Sequence, residues 1–282
     1  MELTQTELQR AVAEVAARAL AEDVGPGDVT SEALFDAGGR CRAEVVLKEP
    51  GVVCGLVVLR GVFSRLDAEA DIERLVEEGA RVDRAVVVAR VTGWAGALLT
   101  GERVALNLLA RLSGVATTTR AFVDAVSGTG VAILDTRKTT PGLRTLERYA
   151  VRTGGGINHR RGLYDAVLVK DNHLKLAGGV EAAVRRLRVK TSLPIEIEAD
   201  TIEQVEQALE VGVERILLDN MSPATVARAV ELVAARAQLE VSGGVTLENV
   251  RAYAETGVDA ISIGALTHSA RSLDVSMEVE AA

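Results

Sequence analysis

Aromatic side chains are nearly missing: three Phe, three Tyr and one Trp stand among 282 residues. Alanine, valine and leucine must therefore fill the core, and there are few rings on which a nucleic acid could stack its bases. Cysteine is scarce too. Cys41 and Cys54 offer neither a metal-ligand spacing nor a disulfide framework, so both read as reduced core residues of a cytosolic protein. With only three histidines, the His and Cys count is too low for a zinc centre, and no Ser/His/Asp or Cys/His nucleophile set is apparent. No apolar run approaches the roughly 18 residues that a membrane span needs. The N-terminal segment carries acids throughout and reads as an amphipathic helix rather than a signal peptide. Positive charge is in deficit, 32 Lys and Arg against 40 Asp and Glu, which argues against general nucleic-acid binding.

Against that deficit stands one cationic stretch, Asp135 to Lys175, with nine Lys or Arg and four Asp or Glu. His159 and His173 lie in it as well. A charge run by itself is usually a solvated face. Here the cations sit beside glycines and at the ends of apolar runs, where side chains converge. The island therefore reads as a site for a small, highly charged anion.

The length allows one or two domains. Residues 4–22 predict a helix with Thr6 as its cap, and Asp28 or Ser31 caps the segment beyond the 25–31 loop. Strand-like runs at 43–47 and 51–55, a helix over 57–66 and a small β-meander predict an α+β layer domain of roughly 110 residues. Residues 94–111 predict a helix with Thr100 capping its second part and Arg103 off its apolar stripe. Ser113-Gly114 reads as a domain boundary, with a separate helix over 115–126 after it. Beyond it, short apolar runs recur at 131–134, 166–169, 194–198, 215–218, 239–241 and 260–263. Helical patterns occupy 178–189, 201–211, 223–236 and 246–256. This (βα) repeat implies a parallel sheet with right-handed crossovers. All six runs end in polar residues, which a barrel would gather on one rim and an open doubly wound sheet at a crevice. The short, even spacing favours the barrel. The expected domains are 1–113, joined by a C-terminal strand within 269–282, and 114–268.

The strand ends collect Arg137, Lys138, His159, Arg160, Lys170 and His173 as cations or potential cations. Glu198 and Asp219 are carboxylates on different strands, a set that suits Mg²⁺ beside phosphate oxygens; alternatively they only neutralise the cations. Glu196 precedes Glu198 by two residues and points the same way on a strand, which leaves a mainly structural role open for one of them. Ser242-Gly243-Gly244 and Gly264 offer backbone N–H groups ahead of helices, the arrangement of a phosphate cradle.

The block DTRKTTPGLRTLERYAVRTGGGINHRRGLYDAVLVKDNH, with GDVTS, GERVALNLLARLSGVAT, IEIEAD, LLDN, VSGGV and ISIGALTHS, is very similar to the quinolinate phosphoribosyltransferases, which are carboxylating nicotinate-nucleotide pyrophosphorylases of phosphoribosyltransferase type II. The resemblance spans nearly the whole chain. It implies an α/β fold: an N-terminal α/β sandwich plus an open, TIM-like, seven-stranded α/β barrel. It implies transfer of phosphoribosyl from phosphoribosyl pyrophosphate to quinolinate with decarboxylation, in NAD biosynthesis, with Mg²⁺. Arg137, Lys138, His159, Arg160 and Lys170 would line the quinolinate pocket, and Arg103 would reach it from the other subunit of a homodimer. Lys138, Lys170, Asn172, Glu198 and Asp219 would attend phosphoribosyl pyrophosphate, with Ser242, Gly243, Gly244 and Gly264 on its 5′-phosphate. Lys138, Lys170, Glu198 and Asp219 would be the catalytic set, Glu198 and Asp219 holding the metal or the ribose hydroxyls. The resemblance also implies a cytoplasmic enzyme, as a dimer or a hexamer of dimers, with no nucleic-acid or membrane partner.

Three rivals remain at this point. A non-catalytic or molybdate-transport-linked paralogue would have altered GGGINHR and VKDNH blocks, which are intact here. A nicotinate phosphoribosyltransferase binds a monoacid and needs fewer cations. An anion-binding scaffold would release no pyrophosphate.

Overall fold

The structure is a computed structural model and describes residues 3–35 and 39–280. The last two residues of the expected 269–282 segment lie outside the described residues. Two compact units are present, one from Met1–Arg120, Thr139–Gly155 and Leu266–Ala282, the other from Ala121–Lys138 and Gly156–Ala265.

The first unit opens with α1 (Gln5–Val24). Its cap is Thr4, not Thr6, because Thr4 has a glutamate three residues on. The Thr4 side chain accepts from Glu7 N–H while the Glu7 carboxylate accepts from Thr4 N–H. Helix α2 (Val29–Leu34) is capped by Asp28 as expected. Strands β1 (Arg40–Leu47), β2 (Gly51–Val52), β3 (Asp71–Arg74), β4 (Arg81–Val82) and β5 (Val86–Trp94), with α3 (Leu56–Leu66) between β2 and β3, complete the layer. The strand expected at 51–55 is cut short because the Glu78 carboxylate accepts from Gly55 and Leu56 N–H and fixes the start of α3. The C-terminal strand β12 (Val275–Glu280) pairs antiparallel with β1, giving the sheet order β12-β1-β5-β3.

The helix does not break at Ser113-Gly114, the expected domain boundary. One helix, α4 (Ala95–Ala125), runs through it for 31 residues. Ser113 bonds the Cys54 backbone twice, and a Cβ at Gly114 would collide with the Arg271 carbonyl. The serine and glycine thus mark close packing, not a turn. Thr100 caps nothing; its hydroxyl donates to Asp28 Oδ2 at 2.9 Å. Residues 139–155, expected within the barrel, group with this first unit. There α5 (Arg144–Thr153) packs on α1, and buried Glu147 binds the Arg111 guanidinium at 2.7 Å and the Thr140 hydroxyl at 2.8 Å.

The second unit carries the (βα) repeat: β6 (Ala132–Leu134), β7 (Val167–Val169), α6 (Asp171–Ala177), α7 (Val180–Lys190), β8 (Ile195–Ala199), α8 (Ile202–Glu210), β9 (Arg215–Asp219), α9 (Pro223–Val233), β10 (Gln238–Ser242), α10 (Val250–Ala254) and β11 (Ala260–Ser262); a one-turn α11 (Ala265–His268) comes next. All six apolar runs are strands of one parallel sheet, in the order β6-β11-β10-β9-β8-β7. The seventh strand of the expected barrel is reduced, among the described residues, to a parallel bridge between Ile157 and Leu134. Glycines 154–156 precede Ile157, and Asn158 and His159 turn away to bond Asp135, so no ladder develops. Helix α10 is also shorter than the expected 246–256, because Asn249 folds back to bond Thr246 N–H and the Gly244 carbonyl.

Residue alternation gives the central strands β8, β9 and β10 one apolar face and one polar face. Ile197, Ile216, Leu218, Leu239 and Val241 fill one. Glu196 and Glu198, Arg215 and Asp219, Glu240 and Ser242 occupy the other, and there the chemistry gathers.

Candidate active site

The second unit brings most of the predicted site residues to the C-terminal ends of its strands. Arg137 and Lys138 come after β6, Lys170 after β7 and Gly264 after β11, while Glu198 lies near the end of β8, Asp219 ends β9 and Ser242 ends β10. Asn172 and His173 are exposed in the first turn of α6, where His173 Nδ1 accepts from Lys170 N–H at 2.9 Å. His173 therefore serves as a helix cap. Arg103 belongs to the first unit and stands on α4 with 64% of its side chain exposed, beside Glu102. Among the described residues, no helix is long and apolar enough to cross a membrane.

Arg137 and Arg160 are both half-buried and near enough for the charge of one to act on the other. The Arg160 guanidinium pKa is lowered, first by burial and then by the charge of Arg137, against the pull of Glu196 and Asp165. Two neighbouring like charges favour a bound anion, and a guanidinium pair can match two carboxylates fork to fork. Asp165 shapes the loop beyond them by accepting from Arg161 and Gly162 N–H at 2.7 and 3.0 Å.

Nearer the exposed rim, Lys170 Nζ meets Glu198 Oε2 at 2.5 Å. Burial raises the pKa of Asp219, and the charges of Glu198 and Asp200 raise it further, while Lys170 and Lys138 oppose them. Three carboxylates crowd two lysines. An all-oxygen donor set with surplus negative charge fits a hard divalent cation, so Glu198 and Asp219 suit Mg²⁺. Asp200 is the rim acid to which the sequence pattern assigned no role. Its signal was its place directly after the IEIEA run.

At the end of β10, Gly243 and Gly244 adopt φ of 88° and 64°. A Cβ at Gly243 would strike the Asn220 side chain, whereas Gly244 faces open space. Asn220 ties this turn to β9: its N–H donates to the Ser242 carbonyl at 2.8 Å and its amide to Asp219 Oδ2 at 2.7 Å. The turn leaves main-chain N–H groups reachable by an anion, as a phosphate cradle requires.

Below the rim lies a cluster of which sequence reasoning found only part. His159 Nε2 is 3.4 Å from Glu196 Oε2 and 3.3 Å from Glu240 Oε1, with the ring 8% exposed and Glu240 fully buried. Arg215 approaches Glu240 from the other side at 3.7 Å. Burial alone would lower the imidazole pKa, but hydrogen bonds and charges from Glu196 and Glu240 outweigh it and raise it to about 9. Arg160 N–H, 2.7 Å from Nδ1, pulls the other way, toward a ring protonated only on Nε2. The two buried carboxylates prevail over one neighbouring backbone dipole. These three ligand-type atoms lie within 4.8 Å of one another. The imidazolium and Arg215 already supply the positive charge that a metal would bring.

Residues 115–278 match the family described as quinolinate phosphoribosyl transferase, C-terminal domain, and residues 28–113 match its N-terminal domain. The chain belongs to this family. The carboxylating nicotinate-nucleotide pyrophosphorylase of Mycobacterium leprae is 46% identical over 271 residues, 93% of this chain and 95% of that protein. The decarboxylating quinolinate phosphoribosyltransferase 1b of Nicotiana tabacum is 38% identical, across 93% of this chain and 80% of its own length. The solved nicotinate-nucleotide pyrophosphorylase of Ehrlichia chaffeensis superposes with a TM-score of 0.92 at 40% identity, covering 99% of this chain and all of that one. A human nicotinic acid phosphoribosyltransferase, 13% identical with a TM-score of 0.61, shares the fold alone.

Proposed function

We infer that the paired guanidiniums Arg137 and Arg160 bind the adjacent carboxylates of quinolinate, and this pairing is the observation that carries the reading. The chain is a carboxylating nicotinate-nucleotide pyrophosphorylase: it transfers phosphoribosyl from phosphoribosyl pyrophosphate to quinolinate and yields nicotinate mononucleotide, pyrophosphate and CO₂. His159 and Lys170 complete the pocket, with Arg103 supplied by the second subunit of a homodimer. Ser242, Gly243, Gly244 and Gly264 receive the 5′-phosphate through main-chain N–H groups. Glu198, Asp219 and Asn172 orient the ribose and pyrophosphate, and Lys138 and Lys170 stabilise the charge that develops on the leaving group. Glu198 and Asp219 would hold Mg²⁺, which when bound neutralises pyrophosphate oxygens. The pocket aligns the pyridine nitrogen with C1 of the ribose, whose bond to pyrophosphate breaks as the new C–N bond forms. The resulting pyridinium holds the electron pair of the C2–carboxylate bond as CO₂ leaves, and C2 then takes a proton from solvent. The pocket contributes desolvation of that carboxylate. We place the enzyme in the cytoplasm, in the synthesis of NAD.

Incubation with phosphoribosyl pyrophosphate, Mg²⁺ and quinolinate labelled in the C2 carboxylate tests the reading. Labelled CO₂ and nicotinate mononucleotide are expected in equal amounts, with no turnover of nicotinate. Turnover of nicotinate in place of quinolinate would overturn it.

A further inference from the structure

We infer that Glu196 and Glu240 are positioning residues for the dicarboxylate pocket, acting through His159 on Arg160; this rests on the function proposed above. The backbone of this segment is tied to the end of β6. Ile157 N–H donates to the Ile133 carbonyl at 2.8 Å, and Asp135 N–H to the Ile157 carbonyl at 3.1 Å. The Asp135 carboxylate then accepts from the Asn158 amide and from His159 N–H, both at 2.6 Å. Those four bonds fix residues 157–159 to the end of β6. Arg160 itself belongs to no strand or helix.

The His159 ring adds a constraint of another kind. Starting from the Ile157 bridge, β10 and β8 lie third and fifth along the sheet. Contacts from His159 to Glu240 on β10 and Glu196 on β8 therefore cross the interior of the sheet's curve rather than track its hydrogen bonds. The ring is a strut from the open edge of the sheet to its far side. Arg160 is the next residue, its N–H sits against the ring at Nδ1, and its guanidinium reaches the Ala166 carbonyl at 3.2 Å. A shift of the ring is thus a shift of Arg160. His159 Nε2 lies 3.4 Å from Glu196 and 3.3 Å from Glu240, so the strut is a close polar contact with both carboxylates at once.

A purely structural role explains the cluster poorly. Interiors of such barrels are ordinarily filled by layers of branched apolar side chains. Buried ionic groups rarely stabilise more than well-packed apolar residues of the same volume. Two buried glutamates facing a residue of the substrate pocket suit alignment of that pocket.

Glu240→Gln and Glu196→Gln keep the shape and remove the charge that orients the ring. Wild type and both variants would be assayed for KM of each substrate, kcat and Tm, with Glu240→Asp as the conservative rescue. The expected result is a rise of about tenfold or more in KM for quinolinate, with KM for phosphoribosyl pyrophosphate within about twofold and partial recovery in Glu240→Asp. A quinolinate KM within about twofold of wild type in both variants, or both KM values moving together with a fall in Tm, overturns the inference. Should one variant fail to fold, the other decides the question alone. Wild type inactive on quinolinate would instead defeat the proposed function, so the two failures are distinct.

Discussion

The charge of Arg137 works against that of Arg160, and this sets what their removal should do. Arg160→Ala relieves the repulsion, so the free protein should lose little stability, yet half of the carboxylate fork disappears. Loss of a bidentate charged contact to substrate is expected to reduce kcat/KM for quinolinate by about 10²-fold or more. Steady-state kinetics checks this, and activity within a few-fold of wild type would sink the role given to Arg160. His159 makes a separate prediction. Its pKa in the folded chain, about 9, lies above that of an unfolded imidazole, so its protonated form favours folding. That contribution is complete below about pH 6.5 and fades as pH rises through about 9. The raised Glu196 pKa, caused first by burial, acts in the same direction, since its neutral form also favours the folded chain and that contribution also fades as pH rises. NMR titration of the His159 ring should give a midpoint near 9, and a midpoint near 6.5 would show that the two glutamates do not control it.

At the scale of elements, helix α4 carries the clearest test. Gly114 lies in its middle, where the Arg271 carbonyl occupies the space of a Cβ. Gly114→Ala improves helix propensity yet should destabilise the protein by about 1–3 kcal/mol through overpacking against rigid backbone. Chemical denaturation measures this, and a stabilised variant would show that the chain at Arg271 yields. The same glycine shows where sequence reading stopped. A Ser-Gly pair between helical patterns looks like a turn, and only the partner segment at Arg271, more than 150 residues away, reveals it as a contact. The six strands of the parallel sheet were legible because strands buried on both faces read as apolar runs ending in polar residues. Their order was not, since nothing in the repeat says that β11 lies between β6 and β10. Arg137, Lys138, Lys170, Glu198 and Asp219 were legible from their places at those ends. Glu240 was missed because an acid inside QLEVS looks like ordinary polar alternation. A strand with no solvent face has no place for an unpaired acid, and that reasoning would have found it. The short α6 was missed because its first turn consists of the polar residues that seemed to belong only to the rim.

For the whole molecule, the question is whether an exposed arginine on α4 takes part in the reaction. Arg103 has 64% of its side chain exposed and only Glu102, at 3.9 Å, as an ion-pair partner among the described residues. A surface ion pair of that kind contributes at most about 1 kcal/mol, so folding alone gives little reason for an arginine there. In the proposed homodimer it reaches the pocket of the second copy, and two-fold symmetry then makes each subunit donor and recipient at once. That reciprocity can be tested by mixing. Arg103→Ala and Arg137→Ala are each expected to be nearly inactive. After denaturation and joint refolding in equal amounts, half of the dimers would be mixed. In a mixed dimer, the pocket with intact Arg137 belongs to the Arg103→Ala subunit and receives an intact Arg103 from its neighbour. The other pocket lacks both arginines. One site in two is restored in half of the dimers, so the mixture should recover about a quarter of wild-type activity. If Arg103 acted within its own subunit, every pocket in the mixture would lack one arginine or the other, and activity would stay at the level of the separate variants.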